Sequence, residues 1–256
     1  SMEYDIPQEE VEVLLPSLIV LNRLLKYTVN DSILLSNVLL SDAVMFEMLF
    51  PKEASFVVKA YEEFTLQSAT SIAERFGRDT GHISRVSSVA LEIYDKMKKL
   101  HGYKLRERTL LQVSAILQDI GKYVNVRNHA LLSYNTITNL DIVGINDHER
   151  LIIATVCYYH NGNIPSMDSP IYNQLSQEDR VMVSKLAAIL QISNAINTSH
   201  SPKFEQVSVN MKNGKLNIYL TTLKNINLEK WAFIAKTKLF REVYGLNATI
   251  IKRGVL

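Results

Sequence analysis

Apolar residues fall three and four apart along most of this chain. Val11, Leu14, Leu15, Leu18, Leu21, Leu24 and Leu25 predict an amphipathic helix over 9–26, with Pro16 marking a kink. A short apolar strand over 33–35 and a second amphipathic stretch over 38–50 follow. This α-β-α piece is too small to close a core by itself, and its lone strand would leave backbone donors and acceptors unpaired. From Tyr61 to Asn197 the period is helical almost throughout. Val86, Val89, Ala90, Ile93, Tyr94, Met97 and Leu100 repeat on one face, 110–117 is apolar nearly all round, and 150–159 and 181–196 predict further helices. That is the pattern of a bundle whose second helix is buried. Gly121 is expected to end that helix, Gly144 and Asn161-Gly162 to punctuate later connections, and Asp141, Asp147 and Ser176 to cap helix N-termini.

Past His200 the period changes to two: V-S-V-N and L-N-I-Y-L flank K-N-G-K, whose Asn213-Gly214 signals a type I′ hairpin. A helix over 229–244, ended by Gly245, and a final strand over 248–251 complete a small α/β lobe.

At 256 residues and 47% hydrophobic content, the chain has ample apolar surface for a core. The net charge of +2 gives no global drive towards membranes or nucleic acid, so no specific nucleic-acid partner is expected and any polyanion must be bound locally. No stretch reaches the ~18 uninterrupted apolar residues of a membrane span. The N-terminus lacks a charged region followed by an apolar one, so a cytoplasmic protein is expected. Ser1 before Met2 reads as an expression scar. The single Cys157 cannot form an internal disulfide and lies in the apolar run L-I-I-A-T-V-C-Y-Y, the setting of a buried structural thiol. Phosphate-binding P-loops, dinucleotide fingerprints, paired-cysteine zinc spacings and G-x-S-x-G elbows do not occur.

One pattern carries chemistry. A histidine on one helix, a His-Asp pair ending a second and an aspartate on a later helix would hold a divalent metal for phosphohydrolysis, because imidazole and carboxylate suit the same transition ions. Here the positions are His82, Gln118, Asp119 and Asn194, so amides replace one imidazole and one carboxylate. The possible ligands shrink to His82 and Asp119, and no resident metal is expected. His82 reads either as a satisfied core histidine or as the partner of a buried Asp119 carboxylate. His129 and His160 end apolar stretches, in N-H-A-L-L-S and Y-Y-H-N-G-N-I-P. They are helix-end histidines or phosphate contacts, the latter favoured at His160 by the neighbouring Asn161, Gly162 and Asn163 amides. Lys96, Lys98, Lys99, His101, Lys104, Arg106 and Arg108 crowd together with Glu107 alone opposing them. The run is either a solvated helix end or a polyanion-binding surface with steep salt dependence.

Taken together, several stretches resemble the C-terminal part of the exopolyphosphatase and guanosine pentaphosphate phosphohydrolase family, the Ppx/GppA proteins. They are V-L-L-P-S-L-I-V-L, A-E-R-F-G-R-D-T-G-H-I-S-R-V with His82, L-Q-D-I-G-K-Y with Asp119, N-H-A-L-L-S with His129, Y-Y-H-N-G with His160, and I-S-N-A-I-N-T-S-H beginning just before Asn194. The resemblance implies a mainly α architecture: an HD-like helical domain over 51–205, a small C-terminal α/β lobe over 206–256, and over 1–50 the tail of an actin-like, ribonuclease-H-type lobe. It implies that the catalytic residues and the magnesium of the full-length activity belong to lobes upstream, leaving neither catalytic residues nor a cofactor in this region. The reading is an accessory region that binds polyphosphate or guanosine pentaphosphate, or forms a homodimer, and is inactive alone. The alternatives are a free-standing metal-dependent HD-type phosphohydrolase with an altered site and a purely structural dimerisation module.

Overall fold

In a computed structural model of the chain, the described residues are 8–28, 44–45, 48–49, 55–199, 201, 203–212 and 214–254. The chain divides into two compact units, Ser1–Ser55 and Phe56–Leu256. In the first, helix α1 (Gln8–Tyr27) runs through Pro16 as one element, with Leu14, Leu15, Leu18, Leu21 and Leu24 exposed. The strand expected over 33–35 lies outside the described residues, as does most of the stretch over 38–50.

The second unit is mainly helical. It comprises α2 (Ser55–Arg75, entering from the first unit), α3 (Thr80–Lys96), the short α4 (Lys98–His101), α5 (Leu105–Leu117), a 3-10 turn (Ile120–Tyr123), α6 (His129–Ile137), α7 (Asp147–Tyr159), the short α8 (Pro170–Asn173) and α9 (Gln177–Ile196). The strands β1 (Gln206–Lys212) and β2 (Lys215–Thr221), the helix α10 (Asn227–Tyr244) and the strand β3 (Asn247–Arg253) follow.

Helix α5 is buried nearly all round, as its apolar run demands, through Leu110, Leu111, Val113, Ala115, Ile116 and Leu117. Helix α9 is equally central and packs on α3, α5, α7 and α10. Its alanines, Ala187, Ala188 and Ala195, are fully buried and let these neighbours approach closely.

The ends of these helices correct part of the expected punctuation. Ser176 caps α9, its Oγ accepting the Asp179 N–H. Helix α7 is capped by Asn146 in a reciprocal pair with Glu149, so Asp147 is the first helical residue rather than the cap, and Asp141 opens no helix. Asp79, unforeseen, caps α3. The face ending at Leu100 is broken at Met97, where α3 stops and α4 begins, and Leu100 is 50% exposed.

The sheet has the order β1-β2-β3. Asn213 is outside the described residues, but Gly214 has φ 67° and Lys212 pairs with Lys215, as a two-residue hairpin requires. Strand β3 lies parallel to β2, with Ile250 opposite Ile218, and α10 supplies the crossover that a parallel pair needs. Leu216, Ile218 and Leu220 of β2 join Phe233 and Phe240 of α10 in the same buried cluster as the helices. Helix α10 rests on α9, and β1 on α3.

Candidate functional site

The site forms where α5 runs out. Gln118 closes that helix, Asp119 follows, and the 3-10 turn redirects the chain. Gly121 is needed here for close approach: a Cβ on it would lie 2.2 Å from the His129 carbonyl oxygen and 2.5 Å from the Ser133 nitrogen. Ser133 locks the approach, its Oγ accepting the Gly121 N–H at 2.9 Å and donating to the Gln118 carbonyl at 2.8 Å. Gly121 therefore lies within the turn after α5 rather than ending the helix, and its absent side chain brings the first residue of α6, His129, to Asp119. His160, which closes α7, enters from a second direction. The turn after it is held by Gln191 of α9, whose amide donates to the carbonyls of Tyr159 and Asn163.

The imidazoles converge on one carboxylate. Asp119 Oδ1 lies 3.2 Å from His160 Nε2 and 3.6 Å from His129 Nε2, and the two Nε2 atoms are 3.3 Å apart. Asp119 Oδ2 accepts from Lys122 Nζ at 2.7 Å and lies 3.7 Å from His82 Nε2. The hydrogen bonds decide the tautomers. His129 Nδ1 donates to the Val126 carbonyl at 2.8 Å, and His160 Nδ1 donates to the Cys157 carbonyl at 2.5 Å. When neutral, both rings therefore present bare Nε2 lone pairs to each other and to a carboxylate oxygen. Three acceptor atoms in mutual contact are stable only around a shared proton or a cation.

His82 is arranged the opposite way. Arg85, a donor only, donates from Nε to Asn197 Oδ1 at 3.3 Å, which turns the Asn197 Nδ2 towards His82 Nδ1 at 2.7 Å. His82 Nδ1 is thereby an acceptor, and its proton is on Nε2, facing Asp119. Of the expected sites, Gln118, Asp119, His82, His129 and His160 come together. Asn194 is half-buried on α9, and the contact to His82 comes instead from Asn197.

Electrostatics follow this geometry. Burial pushes the Asp119 carboxyl up, but the His160 imidazole and the Lys122 ammonium outweigh it and hold the group well below the usual carboxylate range. Burial, then the charge of His160, holds His129 below the ordinary histidine value. Burial also lowers Lys236 of α10, a further cation within the field of Asp119.

A cavity of ≈ 260 Å³ opens onto this cluster, lined by Arg78, His82, Gln118, Asp119, Lys122 and Val126 among others. Gln118 is 1% exposed, and neither its amide oxygen nor its nitrogen has a hydrogen-bond partner among the described residues. Lys122 stands at the i+3 spacing from Asp119 within the motif D-I-G-K-Y, a helical signal that sequence reading passed over. Arg78 and Asn197 carried no such local signal.

Asp119, His129 and His160 offer ligand atoms within 4.8 Å of one another, a group suited to a divalent transition ion. Backbone carbonyls fix both imidazoles through Nδ1, as the outer shell of metal-bound histidines does. The group gathered is thus Asp119, His129 and His160, where the sequence pattern pointed to His82 and Asp119.

The basic run lies elsewhere, and among the described residues none of it lines this cavity. Arg106 pairs with Glu149 and donates to the Gly144 carbonyl, and Arg108 forks onto Asp95. His101 is buried between Tyr94 and Tyr103, while Lys96, Lys98, Lys99 and Lys104 are exposed. Cys157 is buried, which pushes its thiol well up. Among the described residues no helix is long and apolar enough to cross a membrane.

The profile of the Ppx/GppA phosphatase domain III family matches residues 66–239, well over half of the chain, and takes in α3 to α9, the small sheet's first two strands and most of α10. With its mainly helical body, its small three-stranded sheet and the motifs around His82, Asp119, His129 and His160, this chain belongs to the Ppx/GppA phosphatase family, whose domain III it carries.

Proposed function

We propose that the chain serves as the C-terminal region of a phosphoanhydride hydrolase of the exopolyphosphatase and guanosine pentaphosphate phosphohydrolase type, and that it binds the phosphates of such an anion in the Asp119 cavity. On the same reading, residues 1–50 are the tail of an actin-like lobe. The observation that carries the proposal is the buried Gln118 amide, without a hydrogen-bond partner among the described residues, beside Arg78 and Lys122. A buried polar group without a partner costs ~1–3 kcal/mol, so a ligand that pairs with it is favoured. The charges select the ligand's sign. Two carboxylates line the cavity, but Asp79 is paired with Arg85, so Asp119 faces Lys122, Arg78 and whatever proton or cation it shares with His129 and His160, and the balance is positive. The His82 Nε2–H and the Gln118 amide add neutral donors for phosphate oxygens.

Calorimetric titration with tripolyphosphate tests this. Charge-assisted hydrogen bonds are worth ~1.5–3 kcal/mol, so Lys122→Gln and Arg78→Gln should each weaken binding by roughly tenfold or more. Lys98→Gln should leave it within about twofold, since that exposed side chain is not part of the cavity. Equal affinity of all four proteins would refute the assignment.

A second reading, metal-dependent phosphohydrolysis at this site, is favoured by the three acceptor atoms of Asp119, His129 and His160. These residues would hold a divalent ion, which when bound supplies Lewis-acid polarisation of a phosphoryl oxygen. Lys122 and Arg78 would then orient the substrate, and the His82 Nε2–H would donate to it. Equilibrium dialysis with manganese or zinc decides between the readings. One ion per chain, lost in His129→Ala and His160→Ala, supports the metal centre, and absence of binding leaves a proton in its place.

A further inference from the structure

Side chains alternate along a strand, so the small sheet has two unlike faces. On β2, Leu216, Ile218 and Leu220 are buried, whereas Asn217, Tyr219 and Thr221 project the opposite way. The register sets Ser208 of β1 and Ile251 of β3 on either side of Tyr219, and Asn210 and Thr249 on either side of Asn217. Asn210, Thr249 and Ile251 are exposed. Thr249 Oγ1 donates to Asn217 Oδ1 at 2.9 Å, which leaves the Asn217 Nδ2 as a donor. The Arg253 guanidinium lies 3.7 Å over the centre of the Tyr219 ring, the distance of a stacked pair. This outer face is thus hydroxyls and amides around one aromatic ring capped by one guanidinium.

Charge gathers in the same lobe. Residues 206–256 hold nine Lys and Arg against two Glu, a net +7, while the rest of the chain carries 19 against 24, a net −5. The near-neutral total therefore averages two regions of opposite sign. Lys212, Lys215 and Arg253 share the face of Tyr219, two at the hairpin end and one at the far end, roughly 20 Å away at ~3.3 Å per residue. All three are exposed. Both glutamates have other partners, Glu229 in Lys203 and Glu242 in Lys238, so neither offsets these cations.

We propose that the outer face of the small sheet binds single-stranded RNA without sequence preference. Cations at both ends of the strands take the phosphates. Between them a base stacks on the Arg253 plane, which already rests on Tyr219, and a second base meets the ring edge and Ile251. Stacking of this kind needs bases that are not already paired in a duplex, so the strand is single. Ser208, Asn210, Asn217 and Thr249 supply donors and acceptors to the 2′-hydroxyl, which itself does both. An inorganic polyphosphate has neither ring nor hydroxyl and uses the charges alone. A membrane surface finds one aliphatic side chain here, Ile251, and no apolar patch to insert.

Fluorescence anisotropy with a labelled short oligoadenylate tests the proposal on the full chain. The oligonucleotide should bind, with affinity falling as salt rises. Lys212→Gln with Lys215→Gln, at exposed positions outside the core, should flatten the slope of log affinity against log salt by ~0.7 per lost contact. Arg253→Lys keeps the charge and loses the plane, and should weaken binding fivefold or more. The matching deoxyoligonucleotide should bind at least fivefold more weakly, and inorganic polyphosphate of equal charge should compete at least tenfold less well than unlabelled oligoadenylate. Absence of oligoadenylate binding, or wild-type affinity in Arg253→Lys, would overturn the proposal. So would equal competition by polyphosphate, which would leave an unselective anion surface, and equal affinity for the deoxyoligonucleotide, which would take away the role of the sheet hydroxyls and amides. Sedimentation with phosphatidylserine vesicles that displaces bound oligoadenylate would make the face a membrane contact instead.

Discussion

Replacing Asp119 with asparagine removes the one negative charge around which the end of the bundle is organised. The carboxylate is 5% exposed, with Lys122 at 2.7 Å, His160 at 3.2 Å and His129 at 3.6 Å. Without it, the Lys122 ammonium loses its partner and the proton shared with His160 loses its counter-ion. Breaking a buried ion pair from one side costs ~3–5 kcal/mol. Lys122 keeps some access to water and can turn outward, which places the expected loss near ~3 kcal/mol, at the lower end of that range. The partner is identified by a double-mutant cycle. Asp119→Asn with His160→Gln should couple by ~1–3 kcal/mol, and Asp119→Asn with His82→Gln should couple more weakly. The difference arises because His82 Nε2 is 3.7 Å from the carboxylate and its ring is held by Asn197. Urea denaturation followed by helical circular dichroism at neutral pH, with a chelator present, measures every corner of both cycles. The sign with pH is fixed as well: a carboxyl held below its unfolded value of ~3.9 contributes stability present above that pH and lost as pH falls towards the folded value. Additivity of Asp119 and His160 would refute the shared-proton geometry, and strong coupling to His82 would move the ion pair to the other imidazole.

Gly121→Ala should destabilise by ~1–3 kcal/mol or more, because its new Cβ meets backbone of α6 that cannot move aside, and an unchanged melting temperature would contradict the packing. Ser133→Ala should cost ~1–3 kcal/mol, since the Gly121 N–H and the Gln118 carbonyl lose their common partner, and denaturant midpoints check it. His129 has its folded value depressed, so its contribution to stability is full above its unfolded value of ~6.5 and is lost as pH falls through the folded value. His129→Gln should flatten the fall in urea midpoint below that pH, and an unaltered profile would place the titration elsewhere.

The helices of the bundle were legible because their apolar stripes are local. An all-round apolar run such as that of α5 has nowhere to go but inside. Helix α9 was legible as a helix but not as a second centre, since its buried Gln191 and Ser193 look like a polar face until their partners are known. Those partners, the Tyr159 carbonyl and the Ile189 carbonyl, are a distant turn and the helix's own backbone. The site residues were visible one at a time, and their convergence was not. It depends on how closely α6 approaches the turn after α5, a distance set by Gly121 and Ser133 and written in no local period. The basic run shows the converse failure. A count of charges along the chain cannot see that Asp95 and Glu149 fold back onto Arg108 and Arg106. The choice between Asn194 and Asn197 turned on a single helical turn, which spacing alone does not resolve.

The Arg85–Asn197–His82 relay gives the site a means of heritable adjustment from a distance. An amide can face either way at little intrinsic cost, and here its orientation is imposed by a guanidinium that can only donate. A glutamine at position 85 can accept as well as donate, so it permits the Asn197 amide to turn over. His82 would then carry its proton on Nδ1 and present a bare Nε2 beside Asp119. One inherited change, at a residue that touches neither ion nor ligand, would thus turn the ring atom facing Asp119 from a donor into an acceptor.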